Sequence, residues 1–251
     1  MRYLQLLMFE LSAKCNLSTD HPLCPINDKR RWGQLDTRYR LDDETILRLA
    51  AKAYHDLGFL GLLGFHFYNE PLLSKDRMLE LMRRIRARVP KSRFILYSNG
   101  TMIEPPASEL SLFEQVIITN YEGRDFSFLK RVAPRLVVID PALDNRRNPP
   151  ETFNRQPCLR PFVEMIVDCL GNVHLCSMDW QGKGSPGNVF TSDFAKIVSR
   201  FEEIRDDLCG KEMSDAAPVN CLYCTNKYDH IARYDCRIAN RSNRAVARSC
   251  A

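Results

Sequence analysis

Short apolar runs alternate with amphipathic stretches along the first 140 residues, and that order restricts the chain to an α/β fold with a parallel sheet. Residues 3–13 form a strand-like run that delivers Cys15 at its C-terminal end. A polar loop, Asn16 to Arg40, follows it. Leu41-Asp42-Asp43-Glu44-Thr45 then opens a helix with Ile46, Leu47, Leu49, Ala50, Ala53 and Tyr54 on one stripe. Gly61 to Tyr68 reads as a strand, Met78 to Val89 as a helix stopped by Pro90, and Phe94-Ile95-Leu96-Tyr97 as a strand ending in Ser98-Asn99-Gly100. Two more strands are expected at Gln115–Asn120 and Arg135–Asp140. At 251 residues, such a series suits a full or partial barrel.

The pattern changes after Pro149-Pro150. Phe162 to Val167, a turn at Asp168-Cys169-Leu170-Gly171-Asn172, and Val173 to Ser177 predict a β-hairpin, and Phe190 to Leu208 a helix. The boundary is placed between residues 145 and 157. It divides the chain into a barrel (1–150), a small hairpin-plus-helix region (151–236) and a basic tail (237–251).

The N-terminal apolar run is interrupted by Glu10, and Lys14 precedes Cys15 where a signal peptide needs a small residue, so it is read as a buried strand. Leu57 to Phe67 holds three glycines and a histidine and is too short to span a bilayer. The expected location is the cytoplasm, with no membrane partner. Ten cysteines in a reducing compartment are expected to hold metal rather than form disulfides. The net charge of +5 is concentrated late: residues 225 to 251 carry six Lys/Arg against two Asp. Arg233, Arg237, Arg241, Arg244 and Arg248 would share one helical face, which reads as a solvated surface, and no interleaved aromatic residues suggest nucleic-acid stacking.

Cys158 precedes the hairpin, Cys176 ends it, and Cys221-Leu222-Tyr223-Cys224 follows the last helix. Four thiolates from a hairpin and a CxxC loop suffice for a 4Fe-4S cluster or a structural zinc, and spacing alone leaves both open. A second candidate centre stands at the end of the first strand, where barrel enzymes place their chemistry. There the sequence reads Cys15-Asn16-Leu17-Ser18-Thr19-Asp20-His21-Pro22-Leu23-Cys24.

Three segments carry a family resemblance: Glu10-x4-Cys15-Asn16-Leu17, Asn69-Glu70-Pro71-Leu72 and Ser98-Asn99-Gly100-Thr101. They resemble radical S-adenosylmethionine (SAM) enzymes, and the late cysteines resemble the shortened SPASM, or twitch, extension of the aminocyclitol dehydrogenase subgroup. The resemblance implies a partial (β/α)6 TIM-like barrel with an auxiliary-cluster region. It implies two 4Fe-4S clusters, iron rather than zinc at Cys158, Cys176, Cys221 and Cys224, and SAM held by Tyr68, Asn69, Glu70, Ser98 and Asn99. Tyr68 and Asn69 stand where the family has two glycines.

The family's cluster loop is Cys-x3-Cys-x2-Cys, whereas this loop holds Cys15 and Cys24 with His21 two residues before the second. Imidazole replaces thiolate at iron in Rieske centres, so Cys15, His21 and Cys24 are the expected ligands. The alternatives are Asp20, a distant thiol such as Cys209, Cys236 or Cys250, or loss of the cluster. The resemblance further implies reductive cleavage of SAM by an electron donor such as flavodoxin or ferredoxin. The resulting 5'-deoxyadenosyl radical would abstract hydrogen from a small sugar-, cyclitol- or nucleotide-like substrate. Modification of a peptide, or a non-catalytic zinc or iron-sulfur module, are the alternatives. No catalytic base is assigned.

Overall fold

The computed structural model of the chain describes residues 1, 4–21, 24–27, 41–133, 135–139, 158, 160–179, 181–208 and 221. Cys224, Cys209, Cys236, Cys250 and the arginine-rich tail lie outside the described residues, as does the 145–157 boundary. No helix among the described residues is long and apolar enough to cross a membrane.

Five strands follow in order: β1 (Leu6–Phe9), β2 (Leu62–Gly64), β3 (Arg93–Ser98), β4 (Gln115–Thr119) and β5 (Leu136–Ile139). All pair in parallel with their neighbours. The sixth strand, β6 (Glu164–Val167), pairs in parallel with β1, and β7 (Val173–His174) adds antiparallel to β6. The sheet order is therefore β5-β4-β3-β2-β1-β6-β7. This is the expected parallel α/β sheet of a partial TIM-like barrel, with its sixth parallel strand beside the first rather than the fifth. The predicted hairpin is thus an extension of the barrel sheet, and the boundary drawn from the sequence falls between two strands of that sheet.

Side chains alternate across the sheet as the period of two requires. Leu7, Phe9, Leu63, Phe94, Leu96, Val116, Ile118, Met165 and Val167 face a large core shared with the helices. Leu6, Met8, Leu62, Ile95, Ile117 and Ile166 face a smaller inner cluster, against which Cys24, Ile26 and Tyr97 also pack. The loop that carries Cys24 therefore lies against the barrel's inner face. At roughly 3–5 kcal/mol for truncating a buried aromatic side chain, the Phe-rich outer core is the main source of stability.

Helix α1 (Asp43–His55) buries Ile46, Leu47, Leu49, Ala50 and Ala53, the predicted stripe. Helix α2 (Lys75–Arg88) begins three residues earlier than its apolar pattern suggested, because its first turn is polar and exposed while Met78, Leu81, Met82 and Ile85 are buried. Ion pairs from Arg77 to Asp43 and from Arg84 and Arg88 to Glu44 join the two helices. After the short helix α3 (Arg160–Val163) and the hairpin, α4 (Phe194–Leu208) covers the outer core with Phe194, Ile197, Val198 and Phe201.

Asp42 caps α1, its carboxylate accepting from the Thr45 backbone N–H at 2.8 Å and from the Thr45 hydroxyl at 2.6 Å. Burial pushes this carboxyl up, but the two Thr45 hydrogen bonds outweigh it and hold the group below its usual value of 3.8. A depressed carboxylate stabilises the fold above its ordinary value and ceases to do so as pH falls through the depressed one. Asp42→Ala is expected to cost about 1 kcal/mol at pH 7. In urea titrations that difference should shrink towards zero as the pH drops below 3.8.

Candidate functional site at the strand ends

Strand-end residues bring three segments together. Lys14 O accepts from the Glu70 N–H at 2.9 Å, which fixes the loop after β1 against the end of β2. Asn99, at the end of β3, donates its amide to Asn16 Oδ1 at 2.8 Å and reaches Cys15 Sγ at 3.9 Å. Asn16 in turn donates to Thr101 Oγ1 at 2.7 Å. Gly100 makes this turn feasible: its φ is +78°, and an added Cβ would lie 2.5 Å from Phe126.

Glu70 is buried and caps the helical turn Pro71–Ser74. Its Oε1 accepts from Leu72 N and Ser98 Oγ, both at 3.0 Å, and its Oε2 from Asn99 N at 2.8 Å. Burial raises its pKa, and these donors partly offset the rise. Glu70 therefore ties the ends of β2 and β3 together. Asn69 is likewise committed within its own turn, accepting from Phe67 N and donating to Phe65 O, both at 3.1 Å.

Cys15 is half-buried, and burial raises its thiol pKa, opposed by a Leu17 backbone hydrogen bond and reinforced by the nearby charges of Glu70 and Cys24. The two loop thiols thus share one neighbourhood. Cys24 N–H donates to His21 O at 2.9 Å, a turn that carries the chain from one to the other. The His21 ring rests on Tyr121, beyond β4, with ring centroids 4.1 Å apart.

The late thiols gather separately. Cys158, Cys176 and Cys221 are all buried. Burial pushes the Cys176 thiol far above its usual value, Arg160 pulls it down, and Glu164, Cys158 and Cys221 push it further up. Cys158 is fixed to the end of α4 by its N–H to Leu208 O, 2.7 Å. Arg160 donates to Glu164 at 3.3 Å and to Ser177 Oγ at 3.1 Å, so the charged groups beside Cys176 are themselves cross-linked. Among the described residues, no three His, Cys, Asp or Glu side chains close to the spacing of a single metal ion. A set of three buried thiols in mutual range nonetheless fits the donor chemistry of an iron-sulfur cluster, and so does a loop with two thiols and an imidazole.

Three sets of contacts at the site were not expected from the sequence. Glu10 is buried, and its carboxylate accepts from Tyr68 N and Cys169 N, each at 3.1 Å, joining the ends of β1, β2 and β6. A lone acid at the end of an apolar run was its available signal. The buried pair of His174 and Asp168, Nε2 to Oδ2 at 2.9 Å, fixes the hairpin, and the His174 ring lies 4.8 Å from that of Phe67. The Tyr68 hydroxyl donates to Ser177 O, the residue after Cys176. The late-thiol region and the mouth of the barrel are therefore joined directly.

Comparisons agree with this anatomy. Residues 158–225 match the model of SPASM, an iron-sulfur cluster-binding domain. The S-adenosyl-L-methionine-dependent 2-deoxy-scyllo-inosamine dehydrogenase of Niallia circulans is 26% identical over 235 residues, covering 80% of this chain and 89% of that protein. The crystal structure of BtrN in complex with AdoMet and 2-DOIA has a TM-score of 0.60 at 23% identity, over 82% of this chain and 87% of that one. Native anSMEcpe with bound AdoMet has a TM-score of 0.50 at 13% identity, over 96% of this chain and 100% of that one, a likeness of fold. A parallel partial barrel followed by an iron-sulfur cluster-binding extension defines the class. The chain is similar to radical SAM enzymes with a SPASM-type extension, a likeness that supports 4Fe-4S clusters and SAM as its cofactors.

Proposed function

We propose that the protein oxidises a secondary alcohol of a small, cyclitol-like substrate by radical SAM chemistry. Cys15, His21 and Cys24 hold the SAM-binding cluster, and Cys158, Cys176, Cys221 and Cys224 hold an auxiliary one. Tyr68–Glu70 and Ser98–Asn99 form the wall against which the methionine part of SAM lies. When bound, the first cluster supplies the electron that splits SAM into methionine and a 5'-deoxyadenosyl radical. The chain's residues do the rest. The Asn16–Asn99–Thr101 bonds hold the cluster loop to the strand ends, and the inner-face residues exclude water from the reacting carbon.

One observation carries the oxidative reading. β6 lies in register beside β1, Phe9 opposite Val167, and Tyr68 donates to Ser177 O, so the late thiols are built onto the barrel mouth. An acceptor held there can take an electron from a substrate radical, which turns hydrogen abstraction into a net two-electron oxidation. The dehydrogenase of Niallia circulans, acting on 2-deoxy-scyllo-inosamine, supports the substrate class. The test is an anaerobic assay with a strong reductant, SAM and 2-deoxy-scyllo-inosamine. The reading predicts one 5'-deoxyadenosine for each ketone formed. Cleavage of SAM with hydrogen taken from a peptide instead would favour the peptide-modifying alternative.

A further inference from the structure

We propose that Arg124 is a positioning residue for the strand-end site: from the loop after β4 it sets the turn that ends β3 and, through Asn99 of that turn, the lie of the loop around Cys15. This deepens the reading above and rests on it for the placement of SAM. Arg124 is half-buried, and its guanidinium is spent on one turn. Nη1 donates to Gly100 O at 2.9 Å and Thr101 O at 2.8 Å, and Nη2 to Ile103 O at 3.0 Å and Glu104 Oε1 at 2.6 Å. The Glu104 carboxylate is exposed, so the ion pair adds little beside the three carbonyls. A planar fork suits such a set, where an ammonium would act only as a point charge. Arg124 is itself fixed, since Asn120 at the end of β4 accepts from Arg124 N and donates to Arg124 O, both at 2.9 Å. Its Cζ also lies 5.7 Å from the centroid of Phe126, the ring that fills the space beside Gly100.

The turn held in this way presents a closed ring of hydrogen bonds to the Cys15 loop. Asn99 Oδ1 accepts from Thr101 N at 3.0 Å and from Thr101 Oγ1 at 2.7 Å. With its oxygen so taken, the amide directs Nδ2 the other way, to Asn16 Oδ1 at 2.8 Å and towards Cys15 Sγ at 3.9 Å. Asn16 Nδ2 closes the ring on Thr101 Oγ1 at 2.7 Å. Each member orients the next, so a shift of Thr101 turns Asn99 and releases Asn16. Arg124 grips the Thr101 carbonyl and its neighbours, yet among the described residues none of its bonds reaches the Cys15 loop. Its effect on that loop must pass through the β3 turn. The base of the loop has its own tether, from Glu70 N to Lys14 O, so loss of Arg124 loosens the far side without unfolding the whole.

The experiment compares wild type with Arg124→Ala, Arg124→Lys, Asn99→Ala and each Arg124 change combined with Asn99→Ala. Hydrogen exchange on cluster-free protein reads the amides of Ser18, Asp20 and His21, which close turns within the Cys15 loop. Calorimetry reads SAM binding to protein loaded with both clusters. In Arg124→Ala those amides should exchange about tenfold faster, the change expected when one hydrogen bond of the ring is lost. SAM should bind at least about tenfold more weakly, the lower range for losing an outer partner of a metal site. Arg124→Lys should show the same pattern at a smaller size, and it carries the test if the alanine variant does not fold. Because Arg124 acts through Asn99, each double variant should match the worse of its single changes within about twofold. Faster exchange confined to residues 100–104 overturns the proposal and leaves Arg124 a local brace. So do effects that multiply in the double variants, and so does a wild-type loop that exchanges like an unfolded peptide. A loaded wild type that binds no SAM overturns the SAM reading of the site, while exchange still decides whether Arg124 sets the loop.

Discussion

Cys15→Ala is expected to abolish 5'-deoxyadenosine formation, by more than about a hundredfold, which exceeds the usual cost of losing a supporting partner alone. The fold should survive. The Cys15 side chain is half-buried, and the loop around it is held by bonds that the substitution leaves intact, from Glu70 N to Lys14 O and from Asn16 to Thr101. Thermal unfolding should therefore shift by only a few degrees for a change of about 1 kcal/mol. His21→Ala makes the companion measurement. If the imidazole completes the ligand set, cleavage should fall at least about tenfold, the lower range for damage to a metal site. Its ring contact with Tyr121 predicts a separate loss of about 1 kcal/mol in stability. Unchanged cleavage with alanine at position 21 would remove the imidazole from the set.

Cys176→Ala should separate cleavage from oxidation. Cys176 is buried beside Cys158, Cys221 and the Arg160–Glu164 pair. Its loss should take about four irons from a loaded protein, one cubane's worth. SAM cleavage should persist within a few-fold. Ketone formation should disappear, since the substrate radical would have no acceptor and would be quenched by hydrogen return. Equal loss of both activities would mean that the late thiols only staple the fold, a role that structural metal sites often fill.

Much of the fold is legible locally. The apolar runs of β1 to β4 and β6 follow from burial on both faces of the sheet, and the stripes of α1 and α2 from burial of one face. The strands are shorter than their apolar runs. β1 stops at Phe9 because Glu10 turns its carboxylate to two backbone N–H groups, and β2 stops at Gly64, where an added Cβ would lie 2.4 Å from Met8 Sδ.

Long-range pairing is what local pattern cannot express. The Glu10 partners stand 58 and 159 residues away, and nothing in the hairpin's own sequence says that β6 will add beside β1. The same holds at the site. Cys15, Glu70 and Asn99 are readable as strand-end residues, but their joining through Asn16 depends on the lie of three loops.

Counting iron and sulfide on protein purified and reconstituted without oxygen tests the account most directly. Two separate thiol centres predict about eight irons and eight sulfides per chain, with two distinguishable cluster signals on reduction. A single centre confined to the late cysteines, or one zinc there and no iron at the strand-end loop, would contradict it.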